Sequence, residues 1–204
     1  MNRIQEYLPS YCYSSSKMKS VDGIVIHYFS GKYQFADDPF NTEKCLNLFK
    51  DLNRPAKERE HFKMNDVQKR MYASAHFMIA RDGTIYDLVP LPQRAWHAGK
   101  SEWNGKSHCN NWMVGIEMVA TGSSGYTDEQ YKALINLTEE LIKEHDISWD
   151  NITGHENVAP GRKRDPGSKF DWDRYRAMKE PAKLAYAAAM AEYIPWADDE
   201  DDDF

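Results

Sequence analysis

Of the seven histidines in the chain, two sit in tightly constrained local settings. His27 nears the end of the apolar run Val21-Asp-Gly-Ile-Val-Ile-His-Tyr-Phe29, and His155 lies within Thr153-Gly-His-Glu-Asn157. Ten residues beyond His155 comes Asp165, inside Pro160-Gly-Arg-Lys-Arg-Asp-Pro-Gly167, where proline and glycine hold the backbone around a carboxylate. Two imidazoles and one carboxylate suit zinc, and three protein ligands leave a fourth position for water, as in a catalytic site. Taken singly, these residues prove little, because a lone histidine on a strand is more often a satisfied core residue than a ligand. The chemistry therefore depends on whether the fold brings the three together.

The elements that must do so are legible in outline. Val21–Phe29 is β-branched and nearly continuous in apolar character, as expected of a strand buried on both faces. Two strands, Ala75–Ala80 and Ile85–Val89, flank a turn built on Asp82-Gly83 and predict a hairpin. Val114–Val119 reads as a further strand. Thr127-Asp-Glu-Gln130 has the capping-box pattern and opens a helix whose apolar positions Tyr131, Leu134, Ile135, Thr138, Leu141 and Ile142 recur at helical spacing. Between Ser30 and Tyr72 the chain makes a long excursion with a weak helical pattern at Cys45, Leu46 and Phe49. Thr153–Ser168 is rich in turn residues, and Asp171–Tyr193 reads as helix, broken or restarted near Pro181. This order predicts an α/β fold, a single domain with a mixed central β-sheet flanked by α-helices. The domain runs through residue 194 with an insertion at about 30–72, followed by an acidic tail over 195–204.

Composition bounds the function classes. The 204 residues are 41% hydrophobic and 13% aromatic, enough for one sizeable core. The formal charge is −6, but Asp198–Asp203 alone supplies six acids, so the other 26 acidic residues balance the 26 basic ones. A body without basic excess gives no electrostatic reason to expect nucleic acid as a partner. No apolar run reaches the roughly twenty residues that span a bilayer, so no membrane insertion is expected. The N-terminal residues lack a basic start followed by an apolar run, and a product cytoplasmic at synthesis is expected. Cys12, Cys45 and Cys109 form no CxxC pair and are read as free thiols.

A resemblance rests on Ile26-His27, Ala75-His-Phe-Met-Ile-Ala-Arg-Asp-Gly-Thr84, Arg94-Ala-Trp-His-Ala-Gly99, Val114-Gly-Ile-Glu117, and Thr153 to Gly167 followed by Phe170-Asp-Trp172. In these blocks, and in their order, the chain resembles the Amidase_2 family, the zinc N-acetylmuramoyl-L-alanine amidases related to phage T7 lysozyme and to animal peptidoglycan recognition proteins. It is most similar to the anhydro-muropeptide amidase branch. The resemblance implies zinc held by His27, His155 and Asp165, Glu117 as the group that accepts the water proton and returns it to the departing nitrogen, and Lys163 as stabiliser of the oxyanion. Trp96 and His97 fall in the block that lines the substrate groove in relatives, which implies an aromatic face for sugar and a hydrogen bond to the peptide. His76 is expected to be structural. In the T7-lysozyme branch a tyrosine precedes the hairpin histidine and a cysteine is the third ligand. This chain has Ala75 and Asp165 at those places, which points to the branch that relies on a glutamate.

The implied activity is hydrolysis of the amide between N-acetylmuramic acid and L-alanine in peptidoglycan or a muropeptide, by a monomer. The extra N-terminal segment, the insertion and the acidic tail incline the biological setting to a phage-type endolysin, released to the host wall through the membrane. The alternatives are a cytoplasmic recycling amidase for soluble anhydro-muropeptides and a non-catalytic peptidoglycan-binding module. A metallopeptidase cutting within the stem peptide would share the zinc chemistry and cleave a different amide.

Overall fold

The computed structural model describes residues 2–32, 35–59 and 71–179. Contacts group Met1–Phe170 as one compact unit and the chain from Asp171 onward as another. The acidic tail, His61 and the expected helix beyond residue 179 lie outside the described residues.

A six-stranded sheet organises the first unit. Its strands are β1 (Arg3–Gln5), β2 (Gly23–Phe29), β3 (Phe77–Ile79), β4 (Ile85–Asp87), β7 (Met113–Val119) and β8 (Ile152–Gly154), in the order β1-β4-β3-β7-β2-β8. Only β3 and β4 pair antiparallel, and every other neighbouring pair is parallel. The sheet is thus mixed, as expected. A separate two-stranded ribbon joins β5 (Glu102–Trp103) to β6 (Lys106–Ser107). The two long central strands are almost wholly buried, which explains why both read as near-continuous apolar runs instead of alternating ones.

Helices lie on both faces. Helix α1 (Thr42–Leu52) starts at Asn41, whose side chain accepts the backbone N–H of Lys44 at 3.0 Å. Its Cys45, Leu46 and Phe49 join Met78 and Val119 in one core cluster. In parallel register Met78, Glu117 and His27 sit side by side, so α1 covers the face that carries those residues. Helix α2 (Asp128–His145) has the predicted capping box: Thr127 Oγ1 accepts from Gln130 N at 3.1 Å, and Gln130 Oε1 accepts from Thr127 N at 3.2 Å. Gln130 is fully buried, and its Nε2 also donates to the carbonyls of Ile79 and Val119, tying the helix start to the ends of β3 and β7.

The hairpin turn forms as the sequence predicts. Asp82 Oδ1 accepts from Thr84 N at 2.9 Å, and Gly83 takes φ +82°, where an added Cβ would meet the carbonyl oxygen of Glu129 at 2.8 Å. Three features depart from expectation. β3 and β4 are three residues each, shorter than predicted. β1, β5 and β6 carry too few residues to show a periodicity. Thr153 and Gly154, placed among turns, belong with Ile152 to an edge strand on β2. From Asp171, whose side chain caps Arg174 N at 2.8 Å, the second unit begins with helix α4 (Trp172–Ala177). Among the described residues no helix is long and apolar enough to cross a membrane.

Candidate active site

The parallel strands β2, β7 and β8 deliver the site at their carboxyl ends, where open α/β sheets commonly bind ligands. His27 is the fifth residue of β2 and pairs in register with Glu117 on β7, so the two side chains share a face on adjacent strands. β8 ends at Gly154, and the next residue, His155, begins the one-turn helix α3 (His155–Val158). The loop then folds back, with Glu156 N donating to Asp165 O at 2.8 Å. That bond sets Asp165 beside the first turn of α3.

The outcome is a triangle of donor atoms. His27 Nδ1 lies 2.9 Å from His155 Nδ1 and 2.9 Å from Asp165 Oδ2, and His155 Nδ1 lies 3.0 Å from Asp165 Oδ2. Three such atoms cannot all be joined by near-linear hydrogen bonds. Donors about 2 Å from a tetrahedral zinc stand roughly 3.3 Å apart, so the triangle is slightly tight for that ion but of the right kind. Among the described residues this is the one cluster of three such side chains able to hold a metal. The far nitrogen of each imidazole is already engaged: His155 Nε2 faces the carbonyl of Ala98 at 3.3 Å, and His27 Nε2 faces His97 Nδ1 at 3.1 Å. The residues fit a divalent metal with nitrogen and oxygen preference.

Electrostatics agree with ligation. Burial pushes the His27 imidazole down to about 4, against the pull of Asp165, so that it is neutral and able to ligate near neutral pH. Burial alone would raise the Asp165 carboxyl, but its place against the imidazoles of His155 and His27 holds it well below the usual carboxylate range. His76 is pushed to about 4 and His97 well below its ordinary value, both chiefly by burial.

These shifts set a pH dependence. A histidine whose folded-state pKa lies below its ordinary 6.5 protonates more readily in the unfolded chain, so its contribution is intact above about 6.5 and is lost as pH falls toward 4. Urea unfolding of the metal-free protein is expected to show stability decreasing steadily from pH 7 to pH 4.5. A flat profile over that interval would contradict the burial of neutral His27, His76 and His97.

Glu117 stands at the edge of the triangle. It is half-buried, and its Oε2 atom is shielded from solvent with no hydrogen-bond partner. Burial, with a smaller contribution from Asp165, raises its carboxyl well above the ordinary glutamate range, and Lys163 opposes that rise. Lys163 itself is exposed on the rim of a cleft of about 540 Å³ that also takes in His27, His155, Asp165, Glu117 and Trp96. Arg162 pins this rim, its Nη2 donating to the carbonyls of Ala98 and Lys100 at 2.6 and 2.7 Å. The cleft's apolar end comes from α1 and the residues just after the 60–70 stretch, through Leu48, Leu52, Met71 and Ala73. The excursion expected to be an insertion therefore builds one wall of the site.

Trp96 is half-buried in that wall, edge to face with the exposed Tyr72 at 4.8 Å between ring centroids, which leaves an aromatic surface in the cleft. His97 also lines the cleft, but its ring is engaged within the protein. It is 8% exposed, and both ring nitrogens are used, Nδ1 toward His27 and Nε2 at 3.0 Å from the carbonyl of Met113. His76 is structural as expected, accepting from Gly115 N at Nδ1 and donating from Nε2 to Gln93 O, each at 3.0 Å. Sequence reasoning missed Arg162 and Gly115. Arg162 lies between two flagged residues without a distinguishing signal, whereas Gly115 sits inside a strand, a place where glycine often marks a close approach.

The Amidase_2 family model, described as N-acetylmuramoyl-L-alanine amidase, matches residues 17–168. The 1,6-anhydro-N-acetylmuramyl-L-alanine amidase AmpD of Salmonella typhimurium is 50% identical over 105 residues, which are 52% of this chain and 56% of that protein. The N-acetylmuramoyl-L-alanine amidase AmiD of Escherichia coli is 37% identical over 99 residues, 44% of this chain and 36% of that protein. The chain spans about half the length of the curated relatives it matches. Among solved structures, that of Citrobacter freundii AmpD superimposes with a TM-score of 0.59 at 34% identity, covering 86% of this chain and 90% of that one. With the family model spanning every strand of the large sheet but β1, from β2 to the loop that carries Asp165, the chain belongs to the Amidase_2 family of N-acetylmuramoyl-L-alanine amidases.

Proposed function

We propose that the protein is a zinc-dependent amidase that hydrolyses the bond between N-acetylmuramic acid and L-alanine, acting on soluble 1,6-anhydro-muropeptides. The observation that carries the reading is the triangle of His27 Nδ1, His155 Nδ1 and Asp165 Oδ2 beside an unpartnered, shielded carboxylate at Glu117. Relatives at 50% and 48% identity are named for the anhydro-sugar amide. That similarity favours the recycling type of substrate over the wall-lytic endolysin expected from the insertion and tail.

His27, His155 and Asp165 would hold the zinc, which when bound polarises a carbonyl and acidifies water. Glu117 takes a proton from water as its oxygen attacks the lactyl carbonyl carbon, then passes that proton to the L-alanine nitrogen as the C–N bond breaks. A carboxyl with a raised pKa suits both transfers. The Lys163 ammonium on the rim stabilises the negative charge that develops on the carbonyl oxygen. Trp96 offers its ring face to the sugar.

The deciding experiment is mass spectrometry of two substrates, soluble anhydro-muropeptides and intact sacculi, incubated with the protein with and without a chelator. Chelator-sensitive release of stem peptides beginning with L-alanine, faster from the soluble substrate, supports the reading. Faster release from sacculi would return the endolysin, new amino termini inside the stem peptide would indicate a peptidase, and binding without cleavage would indicate a recognition module.

Lys163 supplies a further expectation whose sign does not depend on the metal. Its positive charge lowers the Glu117 pKa, so Lys163→Ala raises it. The base form of Glu117 is then lost at higher pH, and the acid limb of the kcat/KM profile should move upward, along with a fall in kcat. An unmoved acid limb would remove Lys163 from the neighbourhood of the acting base.

A further inference from the structure

We infer that His97 is a positioning residue for the metal centre, seated in the gap left by Gly115 and taking the Nε2–H of His27 so that the lone pair of His27 Nδ1 faces His155 and Asp165. The inference rests on the metal reading proposed above and deepens it. Its first step is a backbone carbonyl. Met113 O, 3.0 Å from His97 Nε2, can only accept, so Nε2 carries the proton. In a neutral imidazole the other nitrogen, His97 Nδ1, must then be an acceptor. His27 Nε2 lies 3.1 Å from it and must be the donor. His27 Nδ1 is left with a lone pair, and that atom faces the other two members of the triangle. One carbonyl thus sets the tautomers of two histidines in series.

The next residue serves the other imidazole. Ala98 O accepts from His155 Nε2, which leaves His155 Nδ1 as the lone-pair atom in the triangle. Residues 97 and 98 are themselves fixed, both backbone N–H groups donating to Asn110 Oδ1 at 3.2 and 2.8 Å. One short segment therefore orients both ligand histidines, one through a side chain and one through a carbonyl. Such outer hydrogen bonds typically hold ligand orientation and contribute a 10–100-fold effect on metal affinity.

Gly115 explains why the His97 ring can reach this place. A Cβ there would stand 2.5 Å from His97 Cγ and 2.8 Å from Nδ1, closer than any real contact. The strand has no freedom to withdraw: Gly115 is paired with Val25, its N–H donates to His76 Nδ1, and its carbonyl accepts from His76 N. The His76 ring closes the remaining side, edge to face with His97 at 5.7 Å. His97 is held between a bare backbone and two imidazoles, and with both nitrogens occupied it has no free polar atom to offer a substrate.

The test uses the full chain with His97→Phe, His97→Asn and Gly115→Ala. Long-range proton–nitrogen NMR of the metal-free protein reads the His27 tautomer directly, and competition with a chromophoric chelator reads zinc affinity. His97→Phe and Gly115→Ala are expected to lose the Nε2–H form of His27 as the sole tautomer and to weaken zinc about 10–100-fold. His97→Asn, whose Oδ1 replaces the acceptor, should keep the Nε2–H tautomer and weaken zinc by less than about 10-fold, below the outer-shell scale. A wild-type His27 tautomer in His97→Phe or Gly115→Ala overturns the inference, as does an Asn variant no better than Phe. Because the tautomer is read without zinc, a wild-type protein that binds no zinc would refute the metal reading while leaving this result to stand or fall by itself.

Discussion

Replacing Glu117 with glutamine is expected to leave zinc binding in place, lower kcat by about 10²–10⁴-fold, and make the protein more stable. The loss follows from removing the one group placed to take and return a proton, a contribution of that size in general acid–base catalysis. The gain in stability has the same origin. The Glu117 carboxyl is shielded, lacks a partner at Oε2, and stands near the Asp165 carboxylate, so its ionised form is disfavoured and its pKa is raised. A neutral amide of the same shape removes that cost, which is how a strained active-site charge trades stability for turnover. Steady-state kinetics, zinc content and urea unfolding of the one variant should read a fall, no change and a rise. A variant that is inactive and also less stable would mean that Glu117 is a structural ion-pairing residue, and one that retains turnover would move the proton transfer elsewhere.

His155→Ala is expected to lose zinc and activity together. Removing one donor of three leaves His27 and Asp165, too few to retain a zinc ion at working concentrations. The loss should exceed the 10–100-fold of an outer hydrogen bond. The fold should survive, because the Ala98 carbonyl that loses His155 Nε2 keeps its bond from Arg162 at 2.6 Å. Far-ultraviolet circular dichroism of a wild-type kind together with absent metal would satisfy the prediction. Stoichiometric zinc in this variant would overturn the ligand assignment, whatever the activity. Comparing the two variants separates holding the metal from moving the proton: one loses the ion, the other keeps it.

Much of this protein could be read before its structure. The Thr127–Gln130 capping box, the Asp82-Gly83 turn and the buried strands β2 and β7 are local or near-local signals, carried by hydrogen bonds and burial within a few residues of chain. His27, His155 and Asp165 were legible as candidate ligands because strand, turn and proline-glycine contexts constrain them, and the family's words around them made the set coherent. Short elements were not legible. A three-residue strand such as β8 has no period to show, and only pairing with β2 makes it a strand.

By itself, then, the sequence determined an α/β chemistry of two imidazoles and a carboxylate, with a glutamate and a lysine at hand. Only the tertiary structure decided which atoms meet. The Nδ1 atoms converge because β2 and β8 lie side by side in parallel register and the loop after α3 returns to bond Glu156 to Asp165. The structure also set His97 of the cleft lining against His27, a contact that depends on the missing side chain of Gly115 and on a carbonyl at Met113. Such relations join residues up to 138 positions apart in the chain. The reason is that hydrogen-bond direction and steric room are properties of atoms in space, and a sequence records only their order along the chain.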